Sequence, residues 1–127
     1  MICLRSGALA LALGACGGAP SDEAVAPGAT VSYVTDAGRA EVEVKYPDAG
    51  IVRGANRFRF RSARGAAVIS LRATMPAHGH HTSGALTADG DAVLGDVELA
   101  MPGRWEVSTG VTTASGDDVL RFSFVVP

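Results

Sequence analysis

All three histidines of the 127-residue chain (His78, His80 and His81) lie within four residues, and Met75 lies three residues before them. Met101, the other methionine beyond the start residue, belongs to a second Met-Pro pair. Imidazole nitrogen and thioether sulfur are soft-to-borderline ligands, and thioether selects Cu(I) over zinc, whereas imidazole accepts either copper state. We therefore interpret Met75, His78, His80, His81 and Met101 as a candidate copper site, with Cu(I) favoured over Cu(II).

Simpler explanations exist for both residue types. A cluster of histidines can be a solvated polar loop, and methionine often fills irregular gaps at the rim of a core. The two interpretations make different geometric demands. A metal site requires the sulfur and nitrogen atoms to meet at one point, because ligand atoms more than ~5 Å apart cannot share an ion.

The elements that must position these residues are β-strands. From Thr30 onward, short runs alternate between apolar and polar residues, which is typical of strands with one buried face. The apolar positions are Val42, Val44, Tyr46, Phe58, Phe60, Ile69, Leu71, Ala73, Val97, Leu99, Trp105, Val107, Val111, Leu120, Phe122, Phe124 and Val126. Turn signals such as Asp89-Gly90 and Pro102-Gly103 separate the runs. About seven strands predict an all-β fold, a two-sheet antiparallel β-sandwich.

Strand direction predicts where the candidate ligands meet. If successive strands are antiparallel, the run ending at Met75 and the run 92–101 point to the same end of the sandwich, and the histidine loop turns there. Met75 is in step with Leu71, and Met101 is in step with Leu99, so both thioethers are predicted to face inward beneath the histidines.

The N-terminal segment has the pattern of a secretory signal peptide. Arg5 precedes an apolar run over residues 7–15, which is shorter than the roughly 20 residues that cross a bilayer. The run ends Leu13-Gly14-Ala15-Cys16, which resembles a bacterial lipobox, so residues 1–16 are predicted to be a lipoprotein signal whose Cys16 is lipidated. The alternative is an ordinary cleaved signal with an incidental cysteine.

Two further predictions concern the mature chain. Gly17, rather than an aspartate, follows the cysteine, which favours the periplasmic side of the outer membrane over other envelope sites. Residues 17–29 are rich in Gly, Ala and Pro without periodicity and predict a flexible tether to a domain at 30–127.

Several functional classes find no support. The formal charge of −2 argues against nucleic-acid binding. No cysteine follows Cys16, and no nucleophile-elbow or Walker pattern occurs, so we expect no enzyme. Asp89-Gly90-Asp91 fits a hairpin turn better than a calcium loop. The four arginines Arg57, Arg59, Arg61 and Arg64 are either a patch for anionic lipid or an acidic partner, or the solvated face of a strand.

From about Gly54 to Pro127 the chain resembles the YtkA-like domain family and its FixH-like relatives. The resemblance rests on Met75-Pro76-x-His78-Gly79-His80, on Met101-Pro102-Gly103-Arg104-Trp105 and on Phe122-x-Phe124-x-Val126. It implies an extracytoplasmic immunoglobulin-like domain without enzymatic activity, with Met75, His78, His80 and Met101 as the matching site residues. FixH-like members are linked to copper delivery and assembly of respiratory oxidases, so the implied partner is a copper-receiving or respiratory-complex envelope protein. His81 extends the pattern, and a lipid stands where FixH-like proteins usually have a transmembrane anchor.

The sequence therefore predicts a lipid-anchored envelope protein that binds copper through a His/Met cluster and sequesters it or hands it over. The alternative is a metal-free interaction or assembly module, in which the histidine loop and the Pro102-Gly103 turn form a docking surface.

Overall fold

The computed structural model describes residues 25–127, and the alternating runs of the sequence form its strands. The strands in this range are β1 (Thr30–Val34), β2 (Glu41–Lys45), β3 (Gly54–Ser62), β4 (Ala67–Val68), β5 (Arg72–Met75), β6 (His80–Ser83), β7 (Ala85–Asp89), β8 (Ala92–Leu99), β9 (Gly103–Thr113) and β10 (Gly116–Val126). One 3₁₀ turn, Pro76–His78, connects β5 to β6.

The strands form two antiparallel sheets. The first has the order β1-β2-β3-β8-β7, and the second has the order β10-β9-β5-β6, with β4 also paired to β9. Chain crossings between the sheets follow β3, β6 and β8, which is the connection pattern of an immunoglobulin-like sandwich. The predicted all-β sandwich is confirmed. The described residues contain ten strands rather than about seven, because two runs are each interrupted once and β1 precedes the first predicted run.

The core between the sheets is aromatic. Phe58 and Phe124 stack with ring centroids 5.7 Å apart, and Tyr46 meets Phe58 edge-on at 5.4 Å. Tyr33 of β1 stacks on Phe122 of β10 at 5.1 Å, which joins the edge strands of the two sheets. Aromatic pairs of this kind stabilise by about 1 kcal/mol beyond the burial of their area.

The first interruption corrects the predicted alternation at Ile69. The side chain of Ile69 is 55% exposed, whereas Val68 is buried. Val68 pairs with Val111 and Arg72 with Ser108, so this strand has one residue more than its partner and forms a β-bulge. The bulge turns Ile69 outward.

At the bulge, the Ser70 hydroxyl accepts the backbone hydrogen bond that a regular strand partner would accept. The backbone N–H of Ile69 donates to the carbonyl of Gly110 (2.8 Å), and the N–H of Gly110 donates to the Ser70 hydroxyl (3.0 Å). A Cβ at residue 110 would lie 2.5 Å from that hydroxyl oxygen, so a larger residue there would displace the Ser70 side chain.

The second interruption is a change of sheet at Gly84. β6 belongs to the second sheet, and β7, one residue later, belongs to the first. The Leu71 side chain fills the space at this crossing, because a Cβ at Gly84 or Gly95 would lie 2.5 or 2.7 Å from Leu71 Cδ2.

A buried carboxylate ties the β1–β2 turn to β10. Asp118 accepts hydrogen bonds from the Thr35 hydroxyl (2.7 Å) and from the backbone N–H groups of Ala37 (2.9 Å), Arg39 (3.1 Å) and Val119 (2.9 Å). Burial disfavours the charge, but these four donors outweigh it and hold the pKa of Asp118 well below its usual value.

Three of the four arginines, Arg57, Arg59 and Arg61, lie on the outer face of β3 in the first sheet, and Arg64 follows that strand. Those three form ion pairs within the described residues: Arg57 with Asp96, Arg59 with Asp89 and Arg61 with Asp91. These side chains are 40% to 80% exposed to solvent, and such pairs contribute little stability. The pairing favours the interpretation as a solvated strand face.

The predicted signal at 1–16, the lipidation site Cys16 and most of the predicted tether lie outside the described residues. The end of the tether contacts the sandwich: the N–H of Gly28 donates to Pro47 (2.9 Å), and the N–H of Tyr46 donates to Ala29 (2.8 Å). No helix within residues 25–127 has the length and apolar character needed to cross a membrane.

Candidate metal site

The histidines occupy the tip of the hairpin between β5 and β6. Met75 ends β5, and Pro76 opens the 3₁₀ turn, where proline's fixed φ and missing N–H are tolerated. Gly79 ends the turn at φ +67°, a left-handed conformation that favours glycine. β6 then begins at His80, so the turn brings His80 back beside the residue that preceded it.

The hairpin register separates the two adjacent histidines. Met75 is directly opposite His80, and Thr74 is directly opposite His81. Directly opposite residues share a face of the sheet, with Cβ atoms about 5 Å apart, whereas successive residues of a strand alternate between faces. His80 therefore lies on the inner face with Met75, and His81 lies on the outer face with Thr74.

Met75 reaches from β5 to the beginning of β9. Its side chain is 2% exposed, and a Cβ built at Gly103 would lie 2.7 Å from its methyl carbon. Gly103 also has φ +125°, where its backbone favours glycine, and a side chain there would displace the Met75 methyl. The Met75 thioether is thus in contact with the Met101-Pro102-Gly103 turn.

Met101 is half-buried and packs against the core, as the alternation predicts. Its carbonyl accepts a hydrogen bond from the Trp105 indole N–H at 2.9 Å, and Trp105 is itself buried. This bond holds the turn against the core. The 3₁₀ turn that contains His78 also lies beside β9. The predicted convergence of the histidine loop, Met75 and Met101 at one end is confirmed, and we call it the His/Met end.

Access to solvent differs among the five candidate ligands. His78, His80 and His81 are exposed, Met101 is half-buried and Met75 is buried beneath them. Among residues 25–127, no three His, Cys, Asp or Glu side chains form a group that could hold a metal ion. The hairpin register explains why the three histidines do not form such a group, because His81 faces away from His80. The donors that share the inner side are Met75, His80 and Met101, with His78 at the tip, and their role as metal ligands stays a prediction.

The sequence motifs include Gly103 and Trp105 but give neither of them a positioning role. Gly103 makes room for the Met75 methyl, and Trp105 anchors the Met101 carbonyl. Alternation predicts only that Trp105 is buried in the core. A sequence signal existed, since Met-Pro-Gly-x-Trp places an indole four residues after a methionine at a turn.

Two shallow grooves lie elsewhere, on the outer face of the first sheet. One, of about 240 Å³, is lined by Thr30, Glu43, Lys45, Arg59 and Arg61. The other, of about 270 Å³, shares Glu43 and Arg61 and extends to Ser32 and Glu41. Both are lined by residues of both charges, and neither contains a candidate copper ligand.

Comparison of the chain with protein-family models, with curated proteins and with solved structures finds no match.

Proposed function

We propose that this chain is a lipid-anchored protein of the cell envelope that binds copper, with preference for Cu(I), and sequesters it or hands it to a partner protein. The observation that carries the proposal is the pairing of Met75 with His80. It sets a thioether and an imidazole on the same face of one hairpin, beside the turn that contains Met101.

The donor set favours the reduced ion. Thioether sulfur is neutral and soft, and it selects Cu(I) over harder divalent ions, while imidazole tolerates both copper states. Met101 is the half-buried thioether at the His/Met end, and Met75 is the buried one. In the proposed site His80 and His78 supply nitrogen from the solvent side. His81, on the outer face, is not needed for it.

The position of the imidazoles suits exchange rather than permanent storage. His78 and His80 are exposed on a tight turn, and ligands on surface turns are accessible to a second protein. The resemblance to FixH-like proteins supports the same role, with a copper-receiving or respiratory-complex envelope protein as the partner. The lipobox at Cys16 supports attachment to the membrane.

Copper titration of the domain from Ala19 onward tests the proposal. We expect one Cu(I) per domain, and we expect the double variant His78→Ala/His80→Ala to weaken binding by at least about tenfold, or 1.4 kcal/mol. His81→Ala is the matched control, because it removes an exposed imidazole from the other face of the same strand. It should leave affinity within about twofold of the parent.

Two results would contradict this assignment. If the double variant binds copper as the parent does, the histidines are not ligands. If the parent shows no stoichiometric binding, the metal-free interaction module is the better description of the domain.

A further inference from the structure

The strand directions place the start of β1 toward the His/Met end. β8 ends at Leu99, opposite Gly54, so β3 begins at that end. β2 is antiparallel to β3 and runs toward the same end, and β1 begins at Thr30, opposite the last residue of β2, Lys45. The chain therefore enters β1 from the end that carries the histidine turn.

The residues before β1 are held at that end. Gly28 and Ala29 hydrogen-bond to Pro47 and Tyr46, which follow β2. Gly50 lies against the Pro27 ring, since a Cβ there would be 3.5 Å from Pro27 Cγ. Val25 packs against the core cluster. The described residues therefore begin at the His/Met end and not at the opposite pole.

The connection from Cys16 to Val25 is short. Nine residue steps separate Cys16 from Val25, and even fully extended they reach only about 30 Å. β9 alone has 11 residues and extends about 36 Å toward the opposite pole. A lipid on Cys16 would therefore hold the attached end within about 30 Å of the bilayer, which is less than the length of β9 and favours an orientation with the Asp118 end pointing away.

We propose that the anchored protein presents its His/Met end to the membrane surface, and that its copper partner is a membrane-embedded protein with sulfur or imidazole donors at that surface. This inference rests on the proposed lipid anchor and copper site. It goes beyond them because it says from which side the site is approached. A partner in the aqueous compartment would have to enter the gap between the domain and the bilayer.

The chemistry of the tip fits such an approach. No charged residue occurs from Ala73 to Ser83 or from Leu99 to Gly103. Pro76, Ala77 and Pro102 are exposed there. An uncharged tip approaches a lipid headgroup layer or a membrane protein without the desolvation cost of a charge. Charged residues surround the tip at the same end: Asp48 and Arg53 of the β2–β3 loop and Arg104 beside Gly103 are exposed.

Energy transfer on vesicles tests the orientation without copper. The full-length lipidated protein is reconstituted in vesicles of phosphatidylethanolamine and phosphatidylglycerol that contain headgroup-labelled rhodamine lipid. A donor dye is attached at Ala77→Cys, on the histidine turn, or at the matched control Ala114→Cys, in the β9–β10 turn at the other pole; both positions are exposed. We expect several-fold stronger transfer from residue 77. Equal transfer from both positions, or stronger transfer from residue 114, would overturn the orientation.

Two controls separate the anchor from the orientation. An insertion of about 20 Gly/Ser residues after Gly18 lengthens the tether and should reduce transfer from residue 77; unchanged transfer would show that tether length does not set the orientation. Failure of the parent to float with vesicles would overturn the anchor and the orientation together. Because no copper is present, failure of copper binding leaves this result unaffected.

A comparison of a large and a small copper chelator tests whether the copper site faces the membrane. Cu(I)-loaded protein on vesicles should lose copper to a dextran-linked bathocuproine several-fold more slowly than the same domain without its anchor does, whereas free bathocuproine should remove copper from both at similar rates. Equal rates with the dextran-linked chelator would overturn the membrane-facing approach.

Discussion

Met75 and His80 are directly opposite each other in the β5–β6 hairpin, and the methyl group of Met75 reaches the Gly103 backbone of a third strand. A residue of the core and a residue of the solvent-exposed tip are thus neighbours. The same contact connects the two Met-Pro segments, which are 26 positions apart in the sequence. A metal bound at the tip would therefore be coupled to packing at the rim of the core.

Replacement of a thioether should affect Cu(I) and Cu(II) differently. Met101→Leu keeps volume and apolar character, so its stability cost should be below about 1.5 kcal/mol. Loss of the sulfur should weaken Cu(I) binding by at least about tenfold and leave Cu(II) binding nearly unchanged. Competition titrations with a Cu(I) chelator and with a Cu(II) chelator measure the two affinities. An equal loss for both ions would contradict a thioether ligand.

Gly103→Ala should destabilise the domain for two separable reasons. Alanine is strained at φ +125°, and its Cβ would meet the Met75 methyl at 2.7 Å. Together these should cost about 1–3 kcal/mol, measured by urea unfolding. In the background of Met75→Ala only the backbone strain remains, so the two changes should not be additive. Additive costs would show that Met75 and Gly103 do not contact in solution.

Asp118 should make the folded state sensitive to acid. Its pKa is lowered in the folded protein, so the charged form stabilises the fold above the ordinary aspartate value of 3.8, and this stabilisation is lost as the pH falls below that value toward the folded pKa. Asp118→Asn should lower the urea midpoint at pH 7, and its difference from the parent should shrink below about pH 4.

The neighbouring aspartate provides the control. Asp117 is exposed and bonds to the Thr112 hydroxyl at 2.8 Å. Asp117→Asn should leave the midpoint nearly unchanged at both pH values. A pH-independent loss in Asp118→Asn would mean that its charge contributes nothing to stability.

The bulge at Ile69 gives a contrast between neighbours. Ile69→Ser changes a side chain that is 55% exposed and should alter the free energy of unfolding by no more than about 0.5 kcal/mol. Leu71→Ala, two residues later, empties the space between Gly84 and Gly95 and should cost about 2–5 kcal/mol. Urea unfolding of both variants measures the contrast. A large loss in Ile69→Ser would indicate that the bulge is absent in solution.

Much of the fold follows from periodicity. A period of two identifies which side chains are buried, and Val42, Phe58, Val107 and Leu120 are all fully buried as it predicts. Antiparallel reversals alone also bring Met75 and Met101 to one end. The alternation failed at Ile69 because a bulge depends on the pairing of the neighbouring strand, here with Gly110, which the run itself does not encode.

The sequence by itself determined the residue types of the His/Met end and the buried apolar positions beneath it. It also determined the strand directions that bring Met75 and Met101 to one end, because alternation and turn chemistry are local properties of the chain. Only the tertiary structure decided that His80 faces Met75 while His81 faces away, since a shift of the hairpin by one residue would exchange the two. Tertiary structure likewise decided that the chain enters at the His/Met end, because that depends on β1 pairing with the end of β2. Register and pairing arise from contacts between distant segments, which no local pattern specifies.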